Sequence, residues 1–244
     1  MRCLFQLIQS ESPAVSYEAA WTLVSLSTAP TAVRACAQAF TGLLNSTSDN
    51  NVKLIVLDRL AELKKHHLKV VQESLMDILR ALSSPNIDIC KKTLALAIDM
   101  VGPRTIEDVV QVLKREVVRT QESDIEHGEE YKALLIQAIH KCAIRFAEVA
   151  DSVVLVLLDF LSGEAGYNVI QVVKSIVEQY PTFRQSVMQK VVANLDEITA
   201  SDALRSALWL IGEYSDVQMD ASVSGRHCCS LLKECSHAPV SSWY

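Results

Sequence analysis

The sequence predicts an all-α fold, an α-solenoid in which helix pairs stack one upon the next. Three observations carry that prediction. A 15-residue stretch recurs without a gap at an offset of 37 residues, its apolar positions keep helical spacing, and helix breakers are scarce. Half of the 244 residues are hydrophobic, with Leu, Val, Ile and Ala abundant, and only seven glycines and six prolines interrupt them.

The recurring stretches are SPAVSYEAAWTLVSL from Ser12, DNNVKLIVLDRLAEL from Asp49 and NIDICKKTLALAIDM from Asn86. Aligned, they place Val15, Val52 and Ile89 in one column and Ala20, Leu57 and Leu94 in a second. Leu23, Leu60 and Ala97 form a third, and Leu26, Leu63 and Met100 a fourth. Steps of five, three and three residues put all four columns on one helical stripe, the expected repeat core. Ser12-Pro13, Ser48-Asp49 and Ser84-Pro85 precede these helices, where N-caps and first-turn prolines belong. The adjacent Ala19 and Ala20 let a neighbouring helix approach closely, since small side chains shorten the distance between axes.

A second set of helices lies between them: 30–44 (PTAVRACAQAFTGLL), 68–82 (LKVVQESLMDILRAL) and 103–118 (PRTIEDVVQVLKREVV). A helix pair every 37 residues is the pattern of HEAT- or armadillo-like solenoids. The pattern continues with drift through 129–146, 148–161, 167–180, 181–198 and 201–214, about six pairs in all. The drift coincides with TQESDIEHGEE at 120–130, which reads as a polar, acidic loop. The expected organisation is a trunk over 1–214 and an irregular tail over 215–244, where SDVQMDASVSGRHCCSLLKECSHAPVSSWY begins at Ser215.

No apolar run reaches the ~18 residues that a spanning helix needs. The opening MRCLFQLIQSES lacks the long apolar core and small-residue cleavage site of a signal peptide. These features read as a cytoplasmic chain. Its formal charge of −6 disfavours nucleic acid as a partner. Seven cysteines is an odd number, and Cys3, Cys36, Cys90 and Cys142 lie singly in apolar helical segments. Buried free thiols explain them more simply than disulfides.

Candidates for chemistry are few. His227, Cys228, Cys229, Cys235 and His237 are potential zinc ligands, but their spacing does not make the usual paired knuckles. His140 and Cys142 are two apart on a helix and point away from each other, so they form no catalytic couple. The acidic run at 120–130 has neither a phosphate-binding glycine loop nor metal-ligand spacing. KKHHLK at 64–69 reads as a turn between pairs, and Lys91-Lys92 opens a following helix. Both are candidates to face an acidic partner or membrane surface, or simply solvent. No catalytic, cofactor-binding or metal-binding residue is expected, nor a small-molecule substrate.

SPAVSYEAAWTLVSLSTAPTAVRACAQ and SDNNVKLIVLDRLAELK resemble the trunk of the β subunits of coatomer, members of the adaptin-like large coat subunits. The likeness runs through MDILRALSSPNIDICKKTLALAIDMV to ALWLIGEY, whose Trp209, Gly212, Glu213 and Tyr214 match a pattern of large adaptins. It covers roughly 1–214 and has no counterpart of the hinge and appendage that follow the trunk in that family. The chain therefore reads as an internal piece of a longer trunk, and after Tyr214 it departs from the family pattern. The resemblance implies a coat scaffold for vesicle transport within the Golgi and from Golgi to endoplasmic reticulum. Implied partners are the δ, γ and ζ subunits and an Arf-family GTPase, with peripheral membrane association through the complex. The alternatives are a HEAT-type carrier or phosphatase scaffold for soluble clients, or a truncated copy without function.

Overall fold

The computed structural model describes residues 1–122, 128–149, 153–154, 157–158, 166–198 and 200–214. Where the repeat reads as one trunk, the contacts divide the chain into two units, Met1–Phe146 and Ala147–Tyr244. Among the described residues there is no strand.

The described residues of the first unit form eight helices: α1 (Arg2–Ile8), α2 (Pro13–Leu26), α3 (Pro30–Ser46), α4 (Asn50–Gln72), α5 (Leu75–Leu79), α6 (Ile87–Met100), α7 (Ile106–Glu122) and α8 (Gly128–Arg145). α5 passes directly into a 3₁₀ turn, Arg80–Ser83. Proline occupies the first turn of α2 and α3, where its missing N–H costs nothing. α4 is capped by Asp49, whose carboxylate accepts from the Asn51 amide at 2.8 Å. α6 is capped by Asn86, which accepts from the amides of Asp88 and Ile89. The capping residues are thus Asp49 and Asn86, while Ser84 sits just before the cap and accepts from the Asn86 amide.

The aligned stripe forms the core where helix faces helix on both sides. Leu23, Leu60 and Ala97 are buried, and so are Ala20, Leu57 and Leu94. Ala19 and Ala20 are buried, and Tyr17 of α2 reaches Phe40 of α3 with ring centroids 5.6 Å apart. The two outer columns are graded. Ile89, Leu63 and Met100 are buried and Val52 is half-buried, but Val15 and Leu26 are exposed, Leu26 by 67%. They correct the expectation of a uniform core: the seven-residue α1 packs on α2 without burying any residue of its own, and it does not cover them.

Three further readings change. The segment 64–69 is not a turn: α4 runs through it with one break in the backbone, at His67 (φ −135°, ψ 44°). The helix expected over 68–82 is therefore split among the end of α4, α5 and the 3₁₀ turn. The reading of 120–130 as a loop is also too long, because Thr120–Glu122 end α7 and Gly128–Glu130 start α8; residues between them lie outside the described set. Cys36, Cys90 and Cys142 are buried free thiols, whereas Cys3 is exposed.

The second unit contains α9 (Gly166–Gln179), α10 (Arg184–Ala193) and α11 (Ser201–Tyr214). 3₁₀ turns at Pro181–Phe183 and Leu195–Glu197 flank α10, so the helix expected over 181–198 is shorter than its sequence pattern. Val173, Ile176 and Val177 of α9, Val187 and Val191 of α10, and Ala203, Ala207 and Leu210 of α11 form its core. Of the helix expected over 148–161, Val153, Val154, Leu157 and Leu158 are helical and buried, at the spacing of one helix face. The tail from Ser215, with its potential zinc ligands, lies outside the described residues.

Candidate functional site

Stacked helices present faces built from side chains of successive elements. The most ordered of these is built from polar side chains that cross between helices of the first unit. Arg59 of α4 donates to the Tyr17 hydroxyl of α2 at 2.8 Å, lies 4.2 Å from the Trp21 ring centre, and pairs with Glu62 on its own helix. Its neighbour Asp58 receives Lys92 of α6 at 2.6 Å, and Lys64 of α4 meets Asp99 of α6 at 2.7 Å. Lys91 of α6 then reaches Glu130 of α8 at 2.6 Å. On the α3 side, Arg34 grips Glu73 with two bonds of 2.7 and 2.9 Å. This pairing holds the Arg34 guanidinium above its ordinary range and the Glu73 carboxyl below it.

The spacing of these pairs follows from the repeat. Partners stand 34, 35 and 39 residues apart, close to one helix-pair period, so similar positions on successive repeats come face to face. Exposed pairs of this kind add little stability, so their role is register more than stability. Lys64, Lys91 and Lys92, candidates to face an acidic partner, a membrane surface or solvent, each pair with a carboxylate of the chain instead. All three are neutralised within the chain. Lys65, His66 and Lys69 remain exposed.

A second polar cluster lies inside. The carbonyl of Leu82, at the 3₁₀ turn, accepts from Arg119 Nη2 of α7 at 3.2 Å, from the Tyr131 hydroxyl of α8 at 3.2 Å, and from the Cys90 thiol of α6 at 3.5 Å. Helix ends leave carbonyls without intrahelical donors, and here three other helices supply them. Arg119 also pairs with Glu116 at 2.9 Å. Burial pushes the Glu116 carboxyl and the Tyr131 phenol upward, because each charged form loses water. Nearby, Gln72 Nε2 donates to the Met100 carbonyl at 2.6 Å and comes so close to Gly102 that a Cβ there would lie 2.9 Å from it.

In the second unit the Trp-x-x-Gly-Glu-Tyr residues join three helices. Trp209 is 49% exposed with Lys174 of α9 above its ring, 4.3 Å from the centre. Arg184 of α10 lies 4.9 Å from the Tyr214 ring and donates to the Val177 carbonyl of α9 at 3.2 Å. Gly212 has open space where a Cβ would stand, and Glu213 is exposed. His140 is half-buried with its proton affinity lowered by desolvation, and Cys142 is buried with its thiol pushed up to about 11. A thiol at that value is protonated at neutral pH and a poor nucleophile. Among the described residues no group of His, Cys, Asp and Glu has the arrangement of a metal site, and no helix is long and apolar enough to cross a membrane.

Paired helices and repeat-spaced charge pairs define an α-solenoid. The family profile described as the adaptin N terminal region matches residues 1–237, and the chain belongs to that family. Its relatives include coatomer subunit beta of Dictyostelium discoideum, 46% identical over 88% of this chain. Coatomer subunit beta-1 of Oryza sativa subsp. japonica is 49% identical over 88%, and coatomer subunit beta of Rattus norvegicus 45% identical over 90%. The chain spans 24% of the length of the Dictyostelium and rat proteins and 23% of the rice protein. Among solved structures, a homology model of the full-length AP-3 complex in an intermediate open conformation aligns with a TM-score of 0.52. That alignment has 17% identity and covers 95% of this chain and 37% of that one, a likeness of fold alone.

Proposed function

We propose that this chain is part of the trunk of a coat subunit, a scaffold of vesicle transport within the Golgi and from Golgi to endoplasmic reticulum. The observation that carries this reading is identity of 45–49% to coatomer β subunits across 88–90% of the chain. The trunk acts by holding neighbouring proteins, not by transforming a substrate. Its proposed neighbours are the δ, γ and ζ subunits and an Arf-family GTPase, and it works in the cytoplasm, peripheral to Golgi membranes and coated vesicles. The fold supports such a role because stacked pairs present long rows of exposed helix faces whose relative positions are fixed by the core.

A transplant tests it. Residues 1–214 replace the matching stretch of a full-length coatomer β relative, and δ, γ and ζ are co-purified with the hybrid. Recovery at levels near those of the parent supports the scaffold reading. A hybrid that is folded and soluble but retains none of the three contradicts it.

A further inference from the structure

We propose that the broken stretch of α4 around His67, with Lys65, Leu68 and Lys69, is a docking surface for an acidic peptide segment of a partner protein. The inference rests on the scaffold reading only in taking surface binding as the chain's work.

Along α4, Lys53, Lys65 and Lys69 have no carboxylate partner among the described residues, and two of the three fall in this stretch. Arg59 and Lys64 are committed to Tyr17, Glu62 and Asp99, and Asp58 is committed to Lys92. Lys65 and Lys69, by contrast, have no carboxylate within salt-bridge distance among the described residues and are exposed to solvent. His66 and His67 stand between them, their rings edge to face with centres 6.5 Å apart. The surplus of positive charge is local, because the chain as a whole carries −6. The net charge of the chain opposes an acidic partner while this stretch attracts it, which supplies specificity as well as encounter rate.

The apolar component is Leu68, 45% exposed, directly after the break at His67. A lysine on either side of an exposed leucine matches carboxylates flanking an apolar side chain. An anionic bilayer fits less well. Polybasic membrane segments use about four to eight Lys or Arg, whereas this stretch offers two uncompensated lysines.

The test is fluorescence anisotropy with a labelled Glu-Glu-Leu-Glu-Glu peptide and the full chain at low salt. Lys65→Glu/Lys69→Glu should weaken binding by about tenfold or more, as expected where like charges are juxtaposed. Arg104→Glu/Arg115→Glu, the same change in net charge at two other exposed positions, should have a much smaller effect. Lys65→Gln/Lys69→Gln serves if charge reversal perturbs folding, and should still weaken binding several-fold. Equal losses in the two reversed doubles, or no binding by the parent chain, overturn the proposal. So does Lys65- and Lys69-dependent binding to phosphatidylserine vesicles without peptide binding, which assigns the surface to lipid. Loss of peptide binding while the transplanted trunk still recovers δ, γ and ζ would remove this surface and leave the coat reading intact.

Discussion

Among the described residues, the two units join their helices by a different balance of polar contacts. In the first, opposite charges close to one repeat apart meet across α3, α4, α6 and α8, as in Lys92–Asp58 and Lys91–Glu130, beside a cation over a ring, Arg59 on Trp21. In the second, cations lie over aromatic rings, Lys174 on Trp209 and Arg184 on Tyr214. The difference teaches how regularity is used. Where the repeat is ungapped, near-equivalent positions face one another and charge pairing predominates. Where the repeat has drifted, an aromatic ring tolerates imprecise approach, because its attraction for a cation spreads over a face several ångströms wide. In both units the apolar core supplies most of the stability, and the polar contacts select the alignment.

The largest expected effects therefore come from the core. Leu57→Ala in the first unit and Ile176→Ala in the second, both buried, should each cost about 2–5 kcal/mol in denaturant unfolding. A cost below 1 kcal/mol at either site would break the comparison by showing that its unit is not held by packing. Next is the aromatic contact. A double-mutant cycle on Lys174→Met and Trp209→Ala should give a coupling of ~0.5–1 kcal/mol, since the ring is half exposed. The corresponding cycle on Asp58→Asn and Lys92→Met should give a smaller coupling that fades in high salt. A salt-independent coupling there would remove the contrast between the units.

A pH experiment sharpens the view of the inner cluster. The Glu116 carboxyl is raised above its ordinary 4.5 chiefly by burial, so the folded state favours the neutral acid. Its stabilising contribution is complete below the unfolded value and is lost as pH rises through the folded value. Glu116→Gln, which cannot titrate, should accordingly gain stability relative to the parent as pH rises from 4 to 7. Thermal melts across that range check the direction; a relative gain on acidification would mean that pairing with Arg119 outweighs burial.

Much of this was legible from spacing. The columns Leu23–Leu60–Ala97 and Ala20–Leu57–Leu94 are buried throughout, because a mid-stripe position faces a neighbour in every repeat. Val15 and Leu26 sit at the stripe's edges, where burial depends on what the adjacent layer covers, a property of the neighbour and not of the column. The helix through 64–69 was hidden because lysines and histidines at a repeat boundary resemble a turn, while the backbone absorbs the change of direction at His67 alone. The partners of Lys64, Lys91 and Lys92 did have a signal: acidic residues, Asp99, Glu130 and Asp58, stand near one repeat away. Nothing in the pattern marked the Leu82 carbonyl, since a main-chain acceptor leaves no trace in residue type.

Hydrogen exchange on Leu60→Asp tests the central claim most directly, that a continuous core runs from one helix pair to the next. Leu60 is fully buried in the middle column, and an unpaired carboxylate there costs several kcal/mol, a large part of the stability of a typical domain. The account predicts loss of protection in α2, α3 and α6 as well as in α4. Protection lost in α4 alone, or retained everywhere, would contradict it.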